Sequence, residues 1–275
     1  MKRLSLAQVS LIAVDTRAPV LAARALQRSM QAIDFGRVIL FTHGWQPPQS
    51  VPGIELLDSG PIRSGADYSH FVLRQLPGHI RTSHVLVTQW DGFVVDAGAW
   101  SDEFLQFDYV GAVWADQPAA CSVGNGGFSL RSQRLLRAGL DSRIVHEHPE
   151  DLMLGREYRS LVEAEHGVRF APPALARRFA FENELPTGPC FGFHGPYHLP
   201  RILGESELLD ALAQLPDEFF RSRDARRLVR AMLARRMGRA AAQLIRRRQA
   251  AGRRDANTGL LGAAARVLNL FSTRS

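Results

Sequence analysis

VSLIAVDTRAPVLAARALQRSMQAIDFGRVILFT, residues 9–42, holds a strand, a helix and a second strand in succession. Val9 to Val14 is an apolar run that ends at Asp15. Val20, Ala23, Leu26, Met30 and Ile33 then recur at helical spacing, which predicts a helix from Pro19 to Ile33, with Pro19 suited to its first turn. Gly36 closes that helix, and Val38-Ile39-Leu40-Phe41 predicts a second buried strand over Arg37 to Thr42. Two buried strands joined by a helix can lie side by side only as parallel neighbours, so the chain opens as an α/β protein with a mostly parallel central sheet.

Working outward, residues 43–65 are rich in Pro, Gly, Ser and Gln and predict a long loop, with one strand at Ile54 to Leu57. Tyr68 to Leu76 reads as a helix stopped by Pro77-Gly78, and His84 to Thr88 as a third strand running into Gln89-Trp90-Asp91-Gly92. Further on, Gly124-Asn125-Gly126-Gly127 leads into Phe128 to Arg131 and a helix from Ser132 to Leu140. Pro149-Glu150-Asp151 opens a helix expected to reach His166, Val168 to Ala171 predicts a strand, and Pro172 to Arg178 a short helix. Residues 1–205 are expected to form the catalytic domain and residues 206–275 a helical, Arg-rich extension. Leu228, Met232, Leu233, Met237, Ala241, Leu244 and Ile245 lie at helical spacing there, within one helix expected from Asp217 to Gln249.

With 275 residues, 45% of them hydrophobic and 22% charged, the chain is long enough for one sizeable core plus an appendage, and its composition excludes wholesale disorder. No run approaches eighteen apolar residues, which excludes a spanning helix. Gln8, Ser10 and Asp15 interrupt the apolar start, so no signal peptide is expected and the protein is placed in the cytoplasm. Cys121 and Cys190 are too few for a disulfide framework. The net charge of +7 is almost entirely arginine, since Lys2 is the only lysine, and it is concentrated from Arg221 onward. Such a basic amphipathic segment suits a membrane surface or a partner. Nucleic acid is not expected as a partner, because no aromatic residue for base stacking occurs between Arg221 and Leu270.

Asp91 follows a buried parallel strand, so it stands where open α/β sheets bind ligands, or simply closes a turn with Gly92. The glycines at 124, 126 and 127 allow close backbone approach and offer N–H groups to a ligand, or form a plain turn. Ser129 and Arg131 either reach that ligand or face solvent. Glu150 and Asp151 are placed to serve as a general base or to cap a helix, whose N-terminus would lower their pKa. His194 and His198 are separated by Gly195-Pro196 and read as loop histidines able to meet a metal or a diphosphate, not as a helical pair. A serine hydrolase is excluded, because no Gly-x-Ser-x-Gly elbow occurs.

Val14-Asp15-Thr16, Tyr68-Ser69-x-Phe71, the block from His84 to Phe93, Asp108 to Ala112, Val123 to Arg131, His148 to Asp151 and Phe191-Gly-Phe-His194 occur in order. Together these blocks resemble the DUF5672 family over residues 9 to about 202. The resemblance implies a GT-A-like, nucleotide-sugar-binding α/β fold and a glycosyltransferase acting on a nucleoside-diphosphate-sugar donor and a glycan or lipid-linked acceptor. It implies donor contacts from Val14, Asp15, Thr16, Gln89, Trp90, Asp91, Gly124, Asn125, Gly126 and Gly127. A divalent metal, Mn²⁺ or Mg²⁺, would be held by Asp91 and His194. Asp151, or else Glu150, would be the catalytic base. Gln89 stands where the first acid of an Asp-x-Asp pair is expected, leaving one metal carboxylate instead of two. A non-catalytic sugar- or nucleotide-binding protein of the same fold is the competing expectation, and a peripheral contact with the inner membrane face would fall to the basic extension.

Overall fold

The computed structural model describes residues 3–47, 49–255 and 258–265, so the end of the Arg-rich extension, residues 266–275, lies outside the described residues. The chain divides into two compact units, residues 1–194 and 195–275.

The first unit is built on β1 (Leu4–Val14), β2 (Ile33–Thr42), β3 (Glu55–Asp58), β4 (His84–Thr88), β5 (Tyr109–Val110), and, after the short pair β6 (Ala112–Val113) and β7 (Val123–Gly124), β8 (Phe128–Ser132). The six-stranded sheet runs in the order β3-β2-β1-β4-β8-β5. β3, β2, β1 and β4 are mutually parallel, and β8 runs antiparallel to both of its neighbours. The α/β class and the mostly parallel sheet are therefore as expected. Alternate residues of β1 feed opposite faces: Leu11 and Ala13 pack with Leu26, Leu40, Leu86 and Phe128, while Ile12 and Val14 pack with Phe41, Phe71 and Val87. A strand buried on both faces must read as a continuous apolar run, which is what Leu11 to Val14 is.

The first helix is shorter than its periodicity predicts, Pro19–Ser29, and β2 begins at Ile33 rather than at Arg37. Arg3 explains the early stop. Its guanidinium donates to the carbonyls of Met30, Gln31 and Ile33 at 2.6, 2.9 and 2.8 Å, satisfying backbone acceptors past the helix end. Ile33 is thereby free to pair with Leu4 and extend the sheet. The expected strand over Val168 to Ala171 is reduced to a single bridge between Phe170 and Tyr109. The expected helix from Asp151 to His166 is broken into one turn at Glu150–Leu152, a wide turn at Met153–Glu157 and a regular helix at Arg159–His166.

Ala13, Leu40 and Thr88 lie at matching heights in the register, so β1, β2 and β4 end within two residues of one another and leave the sheet along one edge. From β1 the chain crosses to β2 on one side, and β4 returns on the other. That reversal opens a crevice beyond the carboxyl ends of β1 and β4. Two further dipeptide strands complete this end, β9 (Ala180–Phe181) and β10 (Gly192–Phe193), paired in parallel.

The second unit is helical, with helices Glu205–Gln214, Asp217–Arg221, Arg223–Ala234 and Gly238–Ala250. The single helix expected from Asp217 to Gln249 is three. Ser222 caps the second by accepting from the Ala225 N–H at 3.0 Å, and Arg236, with φ of 59°, turns the chain before the third. Of the residues at helical spacing, Leu228, Met232, Ala241, Leu244 and Ile245 are buried, and Leu233 and Met237 are half-buried. Arg248 is buried too, donating to the carbonyls of Phe220 and Ser222 at 2.9 and 3.0 Å. Among the described residues, no helix is long and apolar enough to cross a membrane.

Candidate active site

β4 delivers Gln89, Trp90 and Asp91 to the crevice through a tight turn closed by the Gly92 N–H on the Gln89 carbonyl at 3.0 Å. The pairing of β9 with β10 matches Phe181 to Phe193, so the next residue of each strand, Glu182 and His194, arrives side by side. Glu182 Oε1 lies 3.1 Å from His194 Nδ1. The other ring nitrogen, Nε2, faces Gln89 Oε1 at 3.2 Å and Asp91 Oδ1 at 3.6 Å. Burial favours the neutral ring, yet Asp91 and Glu182 outweigh it and raise the His194 pKa to about 9.

The facing wall is the turn before β8. Asn125 sits in the left-handed region at φ 76°, and its Oδ1 accepts from the N–H groups of Gly127 and Phe128 at 2.9 and 3.2 Å. The Gly126 N–H donates to Asp151 Oδ2 at 2.8 Å. The N–H groups of Gly126 and Gly127 are thus engaged within the protein, which corrects the expectation that they present themselves to a ligand. Two of its glycines are required by packing. A Cβ at Gly127 would collide with the His194 ring, and one at Gly126 with the Glu150 carboxylate.

Glu150 and Asp151, adjacent in sequence, have different surroundings. Glu150 is buried, and its Oε1 accepts from Arg131 Nη2 at 2.8 Å, with Arg131 only 1% exposed. Arg131 also donates to Ser129 Oγ at 3.0 Å and lies over the Tyr109 ring. Neither Ser129 nor Arg131 faces solvent. Their place is inside the sheet, where the arginine is tolerated because Glu150 neutralises it. Asp151 is half-buried, its Oδ2 on Gly126 and its Oδ1 accepting from the Leu152 N–H at 2.9 Å. Its pKa is raised, first by burial and then by the charge of Glu150. The lowering by the N–H groups of Gly126 and Leu152 is outweighed by that burial and by the Glu150 charge, so the net lowering expected at a helix start is not realised.

A cavity of about 200 Å³ is lined by Gln89, the Asn125 to Gly127 loop, Asp151, Glu182 and His194, with Tyr68 and Trp114 on its walls. The sequence-derived residues Val14, Asp15, Thr16, Trp90, Asp91 and Gly124 do not line it; Asp91 is buried behind it, 3.6 Å from His194 Nε2. Asp15 Oδ1 instead accepts from the N–H groups of Arg17 and Ala18 at 2.8 and 2.7 Å, bracing the turn that leads into the first helix, and Thr16 donates to the Ile62 carbonyl. His198 belongs to the 195–275 unit. Glu182 and Trp114 were not foreseen from the sequence. Glu182 sits in a charged, exposed-looking stretch, Glu182-Asn183-Glu184, and only the β9 to β10 pairing gives it a partner.

Among the described residues, no group of three or more His, Cys, Asp and Glu side chains could hold a metal ion. The donor set that does converge is mixed: Asp91 Oδ1, Gln89 Oε1 and His194 Nε2. Separations of 3.2 and 3.6 Å are those of neighbouring ligands on one divalent cation bonded at about 2.1 Å. A carboxylate behind the ligating imidazole, here Glu182, is the usual support of a metal-bound histidine. Asp91, Gln89 and His194 are the residues that would hold a divalent cation.

An open, mostly parallel sheet with a polar cluster beyond the strand ends, at the point where strand order reverses, defines an open-sheet α/β protein. Within that class the chain belongs to the DUF5672 family, described as proteins of unknown function, whose pattern matches residues 53–194. Among solved structures it is similar to the galactosyltransferase LgtC in complex with donor and acceptor sugar analogs, at 11% identity over 76% of this chain and 98% of that one, TM-score 0.44. It is also similar to the mannosyltransferase PcManGT of Pyrobaculum calidifontis in complex with GDP-Man and Mn²⁺, at 13% identity over 96% and 80%, TM-score 0.42. A third is the glycosyltransferase GlyE of Streptococcus pneumoniae TIGR4, at 13% identity over 70% and 54%, TM-score 0.38. No curated protein matches the chain.

Proposed function

We propose that this protein is a GT-A-type glycosyltransferase that moves a sugar from a nucleoside-diphosphate donor to a hydroxyl of a glycan or lipid-linked acceptor. The observation that carries the reading is the meeting of two unlike groups in one cavity: His194 with Gln89, backed by Asp91, and a half-buried carboxylate of raised pKa, Asp151. The ordered sequence blocks shared with the family support it. A divalent cation held by Asp91, His194 and the Gln89 amide oxygen would supply neutralisation of the diphosphate charge. The acceptor oxygen attacks the anomeric carbon, the bond from that carbon to the diphosphate oxygen breaks, and the hydroxyl proton passes to Asp151. The N–H groups of Gly126 and Leu152 hold the Asp151 carboxylate in place, and its raised pKa makes it a stronger base than an exposed aspartate. Glu150, already bonded to Arg131, supports the site. The nucleotide would lie along the Val14-Asp15-Thr16 edge, with Trp90 and Gly124 behind the lining residues.

The test is turnover of a panel of UDP- and GDP-sugars, with Mn²⁺, Mg²⁺ or chelator, read as release of nucleoside diphosphate. Release from at least one donor is expected, and silence across the panel with every metal overturns the reading. Binding of a donor without release would instead favour a non-catalytic sugar-nucleotide binder, a reading favoured by the amide of Gln89 in place of an acid.

A further inference from the structure

A second, larger cleft of about 570 Å³ lies in the same unit, within the size range that seats a small organic ligand. The two cavities share one lining residue, Glu182, the carboxylate that holds His194. The cleft is formed by Trp100, the exposed face of the helix Pro173–Phe179, β9 and the loop that follows it. Trp100 is a fixed platform. Its indole N–H donates to Asp102 at 2.9 Å, and its ring packs edge-on against Phe104 and Phe191, with centroids 5.4 and 5.0 Å apart.

The charged groups at the cleft are divided between used and unused. Arg178 is paired with Glu103 at 3.0 Å and Glu182 with His194. Among the described residues, the Arg177 guanidinium and the Glu184 carboxylate have no ion-pair partner, and both line the cleft. A rigid indole beside a free guanidinium and a free carboxylate suits a molecule that has apolar C–H faces and many hydroxyls, both donors and acceptors. A polyprenyl chain would leave those charges buried and unpaired, and a diphosphate would be repelled by Glu182 and Glu184.

We propose that this cleft seats the acceptor and that the acceptor is an oligosaccharide. Its terminal residue reaches past Glu182 toward Asp151, and the residues behind it lie against Trp100 and hydrogen-bond to Arg177 and Glu184. This rests on the glycosyltransferase reading, whose donor side occupies the other cavity.

The experiment is a printed array of neutral and acidic oligosaccharides probed with the full chain. Each hit is then titrated by calorimetry and tryptophan fluorescence against wild type, Trp100→Ala, Trp100→Phe and Arg177→Ala, with UDP and GDP binding measured on the same four proteins. At least one oligosaccharide should bind, Trp100→Ala or Arg177→Ala should weaken it tenfold or more, Trp100→Phe should weaken it less than Trp100→Ala, and nucleotide binding should be unchanged. Arg177 is exposed, so its variant carries the test even where loss of the indole unfolds the chain. No hit on the array, or hits of equal affinity in the Ala variants, overturns the proposal. Glycan binding through Trp100 with no nucleotide binding would sink the transferase reading and leave the cleft standing, whereas nucleotide binding with glycan binding indifferent to both variants would sink the cleft alone.

Discussion

At Glu150 and Asp151, neighbouring carboxylates divide the labour by what each touches. Asp151→Asn keeps the shape and removes the proton acceptor, so transfer should fall by about two orders of magnitude or more while calorimetric donor affinity stays near wild type. The wild-type rate should also climb with pH through the raised pKa of Asp151, because only the ionised carboxylate accepts a proton; that limb should lie above the ordinary aspartate range and vanish in the Asn variant. Glu150→Gln should act on stability, since it leaves the buried Arg131 charge uncompensated, at a cost of about 3–5 kcal/mol in denaturant unfolding. At the other wall, Asp91→Asn should cost transfer at least roughly tenfold, about 1.4 kcal/mol of transition-state stabilisation. Asp91 and His194 could be picked out as candidates because an acid after a buried strand and a histidine in a glycine- and proline-rich loop are local patterns, whereas the roles expected of them and of Asp151 came with the family resemblance. The buried place of Arg131 was not legible, because an arginine inside a strand reads as a surface residue until the Glu150 that neutralises it, nineteen positions away, is brought against it.

At the scale of elements, the βαβ opening was readable because β1 and β2 are apolar throughout, whereas Arg3's hold on the carbonyls around Met30 leaves no periodic trace and cut the helix short. The break of the basic helix at Arg236 was equally hidden, since it is a backbone conformation and not a residue type that ends it. β4 fixes the height of Gln89 and Asp91 through its buried side chains. Leu86→Ala should therefore destabilise the unit by about 2–5 kcal/mol, seen as an earlier urea midpoint with unchanged slope. The turn before β8 gives a sharper contrast. Gly127→Ala pushes a methyl group into the His194 ring, so donor turnover should collapse while the far-ultraviolet spectrum stays native-like.

For the molecule as a whole, the arginine-rich helical unit of residues 195–275 carries a surface charge that the first unit's chemistry does not use. Vesicles containing anionic lipid should retain the protein at low ionic strength and release it as salt rises, while zwitterionic vesicles should not retain it; retention indifferent to salt would argue against an electrostatic contact. The first unit is also unevenly anchored. Asp91 hangs from a five-residue strand locked between two others, but Glu182 and His194 hang from β9 and β10, a ladder of only two rungs. So short a ladder opens by local fluctuation long before the sheet does. Amide hydrogens at Phe181 and Phe193 should exchange with deuterium far faster than those at Leu86 and Val87, and on warming the proposed turnover should be lost in a range where circular dichroism still records an intact sheet.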